Sequence, residues 1–418
     1  MKTKRIIAIV LTVLMLLPCC FLAANAQYDP ENPEVYVMED TGCACVKETK
    51  KSTTGEKFVN TYTFDKKGNL LKETDVLKEA DGTKITSTRT CTYDKKGNLI
   101  TYAYSFNGVD GDFEKELTVC AYDEQGRVIK NNYTYQTPEG TERQVTTYQY
   151  DAKGNKSKDV TESRTMEGIV DRTVNTYSYD KKGNLTKQVH SMTSSNDLTE
   201  KETTKYTYEK GKLVKETVVS AGGFGRDLTT TKSSTVHTYD KKGNETKVVF
   251  RSKDDSGFTS TIITRRTFDK ANQVLSESET MKDSYGTSMS TAERFTYDAK
   301  GFLTKHSKIS KDSAGGAHKT TETYVNNKKG APTKITTVET FDGEITKTVE
   351  TVSYDKKGRE NGRATAVRYP DGSREKFSES YTYDKYGNVS KMTVVRNEAG
   401  VKIKEVYTYT FQQFKKVK

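Results

Sequence analysis

Ten lysines stand in five pairs at one recurring place: Lys66-Lys67, Lys95-Lys96, Lys181-Lys182, Lys241-Lys242 and Lys356-Lys357. Each pair follows an aspartate and precedes a glycine, and Lys328-Lys329 joins the set. Clustered ammonium groups hold anions as point charges. Midway between the pairs runs an acidic series: Asp81, Asp110, Glu139, Glu167, Asp342, Asp371 and Glu398. If the lysines project from one edge of a sheet, that edge is a basic rim facing a milder acidic one. A basic rim could hold a polyanion such as an acidic cell-envelope glycan. The weightier use is solubility, because charged turns stop repetitive strands from pairing edge to edge.

Other chemistry is poorly served. His190, His237, His306 and His318 stand in no metal-ligand spacing. No nucleophile elbow, phosphate loop or dinucleotide fingerprint is present. The acids recur with the turns, which argues for structure. Asp and Asn in each turn lack the ligand density of a calcium loop. Tyrosines could stack on glycans or bases, but cross-strand packing accounts for them better. Cys43, Cys45, Cys91 and Cys120 are the disulfide candidates of an exported chain. Cys91 and Cys120 hold the same slot in successive units, so a simple meander puts them roughly 9–10 Å apart. That is beyond the ~7 Å Cα reach of a disulfide. Each could bond Cys43 or Cys45, or remain a half-buried thiol. No catalytic residue, metal or cofactor is assigned.

The elements that carry these residues repeat. The phrase aromatic-Asp-x-x-Gly-Asn-aliphatic occurs as Phe64 to Leu70 and Tyr93 to Leu99. It returns from Tyr122, Tyr150, Tyr179, Tyr239, Phe268, Tyr297, Tyr354 and Tyr383. Degenerate copies at Tyr208-Glu209-Lys210-Gly211 and Tyr324-Val325 bring the total to twelve, mostly 28 or 29 residues apart. Turn signals such as Asp81-Gly82 and Asp371-Gly372 halve that interval. Strand-like stretches rich in Thr, Val and Tyr lie between. The spacing predicts an all-β fold of tandem antiparallel β-hairpin repeats, forming an elongated, twisted or spiralling sheet.

The phrase also predicts a register. Asp caps a type I turn and Gly takes the left-handed conformation that closes it. Tyr93 then faces Leu99, and Phe64 faces Leu70. Two residues further out, Tyr62 faces Lys72, Tyr177 faces Lys187, and Cys91 faces Thr101. Tyr239 and Tyr354 face Glu245 and Glu360, a poor match that predicts weak hairpins or tyrosines turned to solvent.

Lys2, Lys4 and Arg5 precede the apolar run Ile6 to Leu17, and Ala24-Asn25-Ala26 is a small-x-small site. Residues 1–26 therefore read as an export signal. A lipid anchor at Cys19 or Cys20 competes less well, because Pro18 precedes it and the apolar run continues. Residues 27–57 read as a linker or cap with Cys43 and Cys45, 58–411 as the repeats, and 412–418 as a basic tail. The formal charge of +11 falls to +8 once the three leader cations leave. Hydrophobic residues are 33% of the chain, too few for a large dry core. No later segment is apolar enough for a transmembrane helix. A membrane β-barrel needs one apolar face per strand. Lys201 to Lys205 and Lys215 to Val219 put charge on both faces, which counts against it.

The Tyr-Asp-x-x-Gly-Asn-Leu phrase, best seen from Tyr93 and Tyr179, resembles the YD-repeat or Rhs-repeat family over residues 58–411. The resemblance implies hairpins laid side by side in a long curling sheet. Only Tyr407 to Lys418 follow the last repeat, so the toxin role of large members is not implied. The reading at this level is an extracytoplasmic, secreted or cell-surface, non-enzymatic scaffold for attachment or partner binding. Its partners would be an acidic envelope glycan or a surface protein, with no nucleic acid. The alternatives are a polyanion-binding adhesin using the lysine edge and a glycan-active enzyme on a concave sheet face.

Overall fold

Alternating Thr, Val and Tyr between glycine-bearing turns leaves the backbone one economical arrangement, a strand paired to each neighbour in turn. The computed structural model describes Val37–Met38 and residues 43–413, apart from residues 110, 226, 314, 399 and 400. The leader read at 1–26, Asp110 and the Ala399-Gly400 turn lie outside the described residues. Among the described residues, 27 strands form one sheet. They begin with β1 (Val37–Met38), β2 (Cys43–Ser52), β3 (Lys57–Phe64), β4 (Leu70–Lys78) and β5 (Lys84–Tyr93). Then come β6 (Leu99–Asn107), β7 (Phe113–Tyr122), β8 (Val128–Thr137) and β9 (Gly140–Tyr150). The series runs on from β10 (Lys156–Arg164) to β25 (Arg374–Tyr383), and ends in β26 (Val389–Glu398) and β27 (Val401–Gln413).

The turns are built by their aspartates. The Asp65 Oδ1 accepts from the Lys67 and Asn69 backbone N–H groups at 2.7 and 2.9 Å. Its Oδ2 accepts from the Asn69 amide at 2.8 Å. Gly68 closes the turn at φ 91°, where a side chain would be strained. The arrangement recurs at Asp151, Asp180 and Asp240. Arg127 and Arg359 take the Asn place, each giving Nε to its aspartate.

Two turns depart from the sequence reading. At Lys210-Gly211 both residues have positive φ, a two-residue hairpin with Glu209 opposite Lys212. The copy placed at Tyr324-Val325 lies two residues further on. There Asn327 is the cap, accepting from Lys329 and Ala331, and Asn326 fills the aromatic slot.

The register beside the repeated-phrase turns carries a bulge, whereas the pairs across midway turns such as Asp81-Gly82 run without one. Phe64 pairs with Leu70, but Thr63 pairs with Lys72, so Leu71 is the extra residue. The same shift follows Thr92, Ser178 and Thr238. One extra residue moves everything beyond it to the other face. The predicted outer pairs are therefore corrected: Tyr62 faces Glu73, Tyr177 faces Gln188, and Cys91 faces Tyr102.

The open sheet is also corrected. The segment Cys43–Ser52, read as linker or cap, is a strand with partners on both sides. Lys47 lies opposite Thr61 of β3 and Thr410 of β27, and Lys50 opposite Phe58 and Tyr407. First long strand and last strand are joined, so the sheet closes into an antiparallel β-barrel of β2 to β27. The physical reason is edge satisfaction: an open ladder leaves two rows of unpaired N–H and C=O groups, and closure removes both.

The chain divides into two compact units. One holds residues up to Thr147, with Tyr381–Val394 and the chain from Ile403. The other holds Tyr148–Ser380 with Val395–Lys402. The first contains two apolar clusters. Cys45, Met392, Val394, Tyr407 and Tyr409 pack at the closing strands. Leu70, Cys91 and Leu99 pack beside the first turns.

Candidate functional site

Alternation gives the sheet two unlike faces. The more accessible face carries Thr and Lys, as in Thr88 opposite Thr74 and Lys187 opposite Lys205. The other is packed with tyrosine, acid and base. In the first unit one rung crosses seven strands: Tyr62, Glu73, Arg89, Tyr104, Glu116, Tyr135 and Glu142 are successive cross-strand partners. Arg89 gives Nη1 to Glu73 at 2.8 Å and lies 5.5 Å from the Tyr104 ring centroid. Charge and aromatic surface are thus interleaved by register, without a deep core.

The second unit repeats the theme. Asp159 accepts from the Asn175 amide at 2.7 Å and from Tyr177 Oη at 2.8 Å. Glu245 joins His237 at 2.7 Å to Arg266, which also holds Glu277 at 2.6 Å. His306 lies between Glu293 and Glu322, 3.1 Å from each, with Phe295 stacked on its ring. Arg363 bridges Glu350 at 2.6 Å and Glu360 at 3.0 Å. These contacts occupy His237 and His306, two of the four histidines weighed from the sequence; His190 pairs with the Asn175 side chain and His318 packs edge-on against Phe341. Among the described residues, no three His, Cys, Asp or Glu side chains form a metal-binding group.

The anchor tyrosines do something the sequence did not disclose. Five of them reach back to the start of the return strand in the preceding hairpin. Tyr122 Oη donates to the Leu99 carbonyl at 2.8 Å, Tyr179 to Lys156 at 2.9 Å and Tyr297 to Val274 at 3.0 Å. Tyr239 and Tyr354, expected to mark weak hairpins or to turn to solvent, make the same bond to Leu213 and Pro332. Asn326 makes it with its amide to Leu303. The interval between anchor and acceptor, 23 residues in four of the six cases, was the available signal.

All ten predicted rim lysines, Lys66, Lys67, Lys95, Lys96, Lys181, Lys182, Lys241, Lys242, Lys356 and Lys357, are exposed at turns. The rim is partly spent on itself. Lys67 Nζ donates to the Lys95 carbonyl at 3.2 Å, Lys96 to Glu124 at 2.7 Å and Lys242 to Lys270 at 2.8 Å. Lys153 does the same to Lys181 at 3.0 Å. The second cation of these turns ties its neighbour's backbone. The aspartates beneath are acidified: Asn184 donors hold the Asp180 carboxyl below its ordinary value, by side chain first and backbone second. Cys45, Cys91 and Cys120 are buried thiols with no disulfide among them. The side chain of Cys43 lies outside the described residues.

No family model and no curated protein matches the chain. Solved structures overlap it loosely. A porin-like protein from Bacteroides uniformis is 13% identical, with 57% of this chain and 97% of that one covered and a TM-score of 0.24. The P pilus usher translocation pore is 8% identical, covering 88% and 98%, at a TM-score of 0.38. Neither overlap is close enough to carry fold or function across.

Closure overturns the secreted repeat scaffold and what depended on it. An open sheet offering edges and a free basic rim to an acidic glycan or a surface protein is not the architecture found. The adhesin reading, which needed that open sheet, falls with it; three of its ten lysines, Lys67, Lys96 and Lys242, are also spent on the next turn. The glycan-active alternative gains nothing from Glu73, Glu245, Glu277 and Glu350, which are held in ion pairs.

Proposed function

We propose that the chain is a channel of the cell envelope, a closed β-barrel that passes polar solutes. Joining of β2 to β27 is the observation that carries this reading. A ring of roughly eight strands is filled by its own side chains, whereas rings of about 16 or more hold water. The ring from β2 to β27 is well beyond the filled size. In this reading the packed face, with its rung of tyrosine and charge, lines the passage. The export signal read at residues 1–26 makes the chain extracytoplasmic, and an outer membrane is the finer placement proposed.

The Thr-rich face would then meet lipid. Val160 opposite Val174, and Val236, Val249 and Ile263 in successive register, suit that role. Lys187 opposite Lys205 does not. A lysine at the bilayer midplane costs about 2–4 kcal/mol, falling to about 0–1 near the headgroups. The reading therefore requires these ammonium groups at headgroup level, reached on their own stems.

Planar-bilayer recording on the purified chain tests it. Discrete conductance steps are expected. A chain that gives no steps and stays in the aqueous phase after detergent phase separation overturns the channel.

A further inference from the structure

In the first unit, β2, β4, β5 and β27 bring four acids and two bases together near the closing strands: Glu48, Glu73, Asp75, Glu405, Lys50 and Arg89. Two of the acids are matched. Lys50 Nζ holds Glu405 at 2.7 Å, both nearly fully buried. Arg89 holds Glu73 at 2.8 Å. Glu48 and Asp75 remain. They flank Asn60 on one rung, Glu48 opposite Asn60 and Asn60 opposite Asp75.

The hydrogen-bond inventory there is one-sided. Glu48 is 4% exposed. Asn60 is 5% exposed; its amide N–H groups go to Tyr62 Oη at 2.7 Å and Glu73 Oε1 at 2.9 Å. Its Oδ1 is buried with no donor. Asp75 Oδ2 accepts from Ser87 Oγ at 2.8 Å, and its Oδ1 is buried with no donor. Three adjacent strands thus place two carboxylates and a neutral amide on one rung, with Asn60 Oδ1 and Asp75 Oδ1 buried and without a donor. An unmet buried acceptor costs about 1–3 kcal/mol, more when charged. The orphaned amide oxygen of Asn60 is the observation that separates this place from an ordinary crowd of acids.

From these residues we infer that Glu48, Asn60 and Asp75 form a binding site for a hard divalent cation, calcium by preference. The donors are all oxygen, which hard cations select and thiolate- or imidazole-seeking metals do not. Two carboxylates match a charge of two. Burial favours a small ion over an organic ammonium. Alternate strands lie roughly 9–10 Å apart at the backbone, so a glutamate on β2 and an aspartate on β4 must reach inward around Asn60. Calcium accepts such irregular sets more readily than magnesium, which demands a near-ideal octahedron. An ion here would tie β2, the strand that closes the sheet, to the two strands beside it. The inference is independent of the channel reading, since it concerns closure and not passage.

Thermal unfolding of the full chain tests it, in EDTA and with calcium, magnesium or sodium chloride at matched ionic strength. Calcium is expected to raise the midpoint by about 2 °C or more over the sodium control, and over magnesium by a smaller margin. Glu48→Gln and Asp75→Asn should lose that rise. Both should also unfold later than the parent in EDTA, because each removes an unmatched buried charge. Equilibrium dialysis of the unaltered chain with calcium, expected to give saturable uptake of one ion at this site, keeps the test alive if the variants do not fold. No calcium-specific rise and no saturable uptake overturns the site, as does a full calcium response in Glu48→Gln.

Discussion

The closing strands and the repeating hairpins solve the same pairing problem with different materials. At closure, β2 meets β27 across a sequence separation of 351 residues, where Lys404 N–H donates to Thr53 Oγ1. That region has Met392 at 2% exposure, Tyr407 at 3% and a buried Lys50–Glu405 pair. The hairpins from β10 to β25 have little of this. Their packed face holds Asp159, Glu245, His306 and Arg363 in ionic contacts, and buried apolar side chains are few. A hairpin needs no apolar core, because its turn holds the partner strand nearby and only a short loop must be closed. Strands brought together from the two ends of the chain have no such turn. Their junction must supply its own burial and its own specificity.

If that contrast is right, damage at closure should far exceed equal damage in a repeat. Lys50→Ala takes the ammonium away from the buried Glu405 carboxylate, and should cost about 3–5 kcal/mol in denaturant unfolding. A Lys50→Met, Glu405→Leu pair should recover most of it. A Lys50→Ala loss under 1 kcal/mol would break the comparison. Met392→Ala should cost about 2–5 kcal/mol by the same assay, since it opens a void in the closing cluster. Tyr297→Phe deletes one link between adjacent hairpins and should cost only about 0.5–1.5 kcal/mol. A loss there matching Met392→Ala would put the core in the wrong region.

Acid sharpens the contrast further. Asp151 and Asp180 are held below their ordinary carboxyl value chiefly by the side chains of Asn155 and Asn184. A depressed folded value means stability that is present above the unfolded value and lost as pH falls through the folded one. Stability of the native chain should therefore decline below about pH 4. Asp180→Asn should flatten that decline slightly while lowering stability at neutral pH, as an unfolding series across pH would show. Smallest of all, Lys242→Met removes an exposed contact to Lys270 and should change stability by less than about 1 kcal/mol. It should leave any bilayer conductance step unchanged in frequency.

Much of the local structure was legible in advance. The aspartate, glycine and asparagine of each phrase dictate a turn by their own hydrogen bonding, so Tyr93 opposite Leu99 followed from spacing alone. One rung further out the reading failed, because the bulge after Leu70 inserts a residue without a composition signal of its own. Its failure moved Tyr62 from Lys72 to Glu73 and hid the charged rung. The lysines looked free because sequence shows which side chains leave a turn, not which carbonyl stands in the next one.

By itself the sequence determined the strand, the turn and the pairing of neighbours. Each rests on residues within about 15 positions, where side-chain capping and left-handed glycine decide the backbone. Only the tertiary structure decided that the sheet closes, that Cys43–Ser52 is its joining strand, and that Asn60 stands between Glu48 and Asp75 on one rung. Closure depends on accumulated twist and stagger over every strand, and on whether the two end strands match in register. No local phrase encodes either quantity.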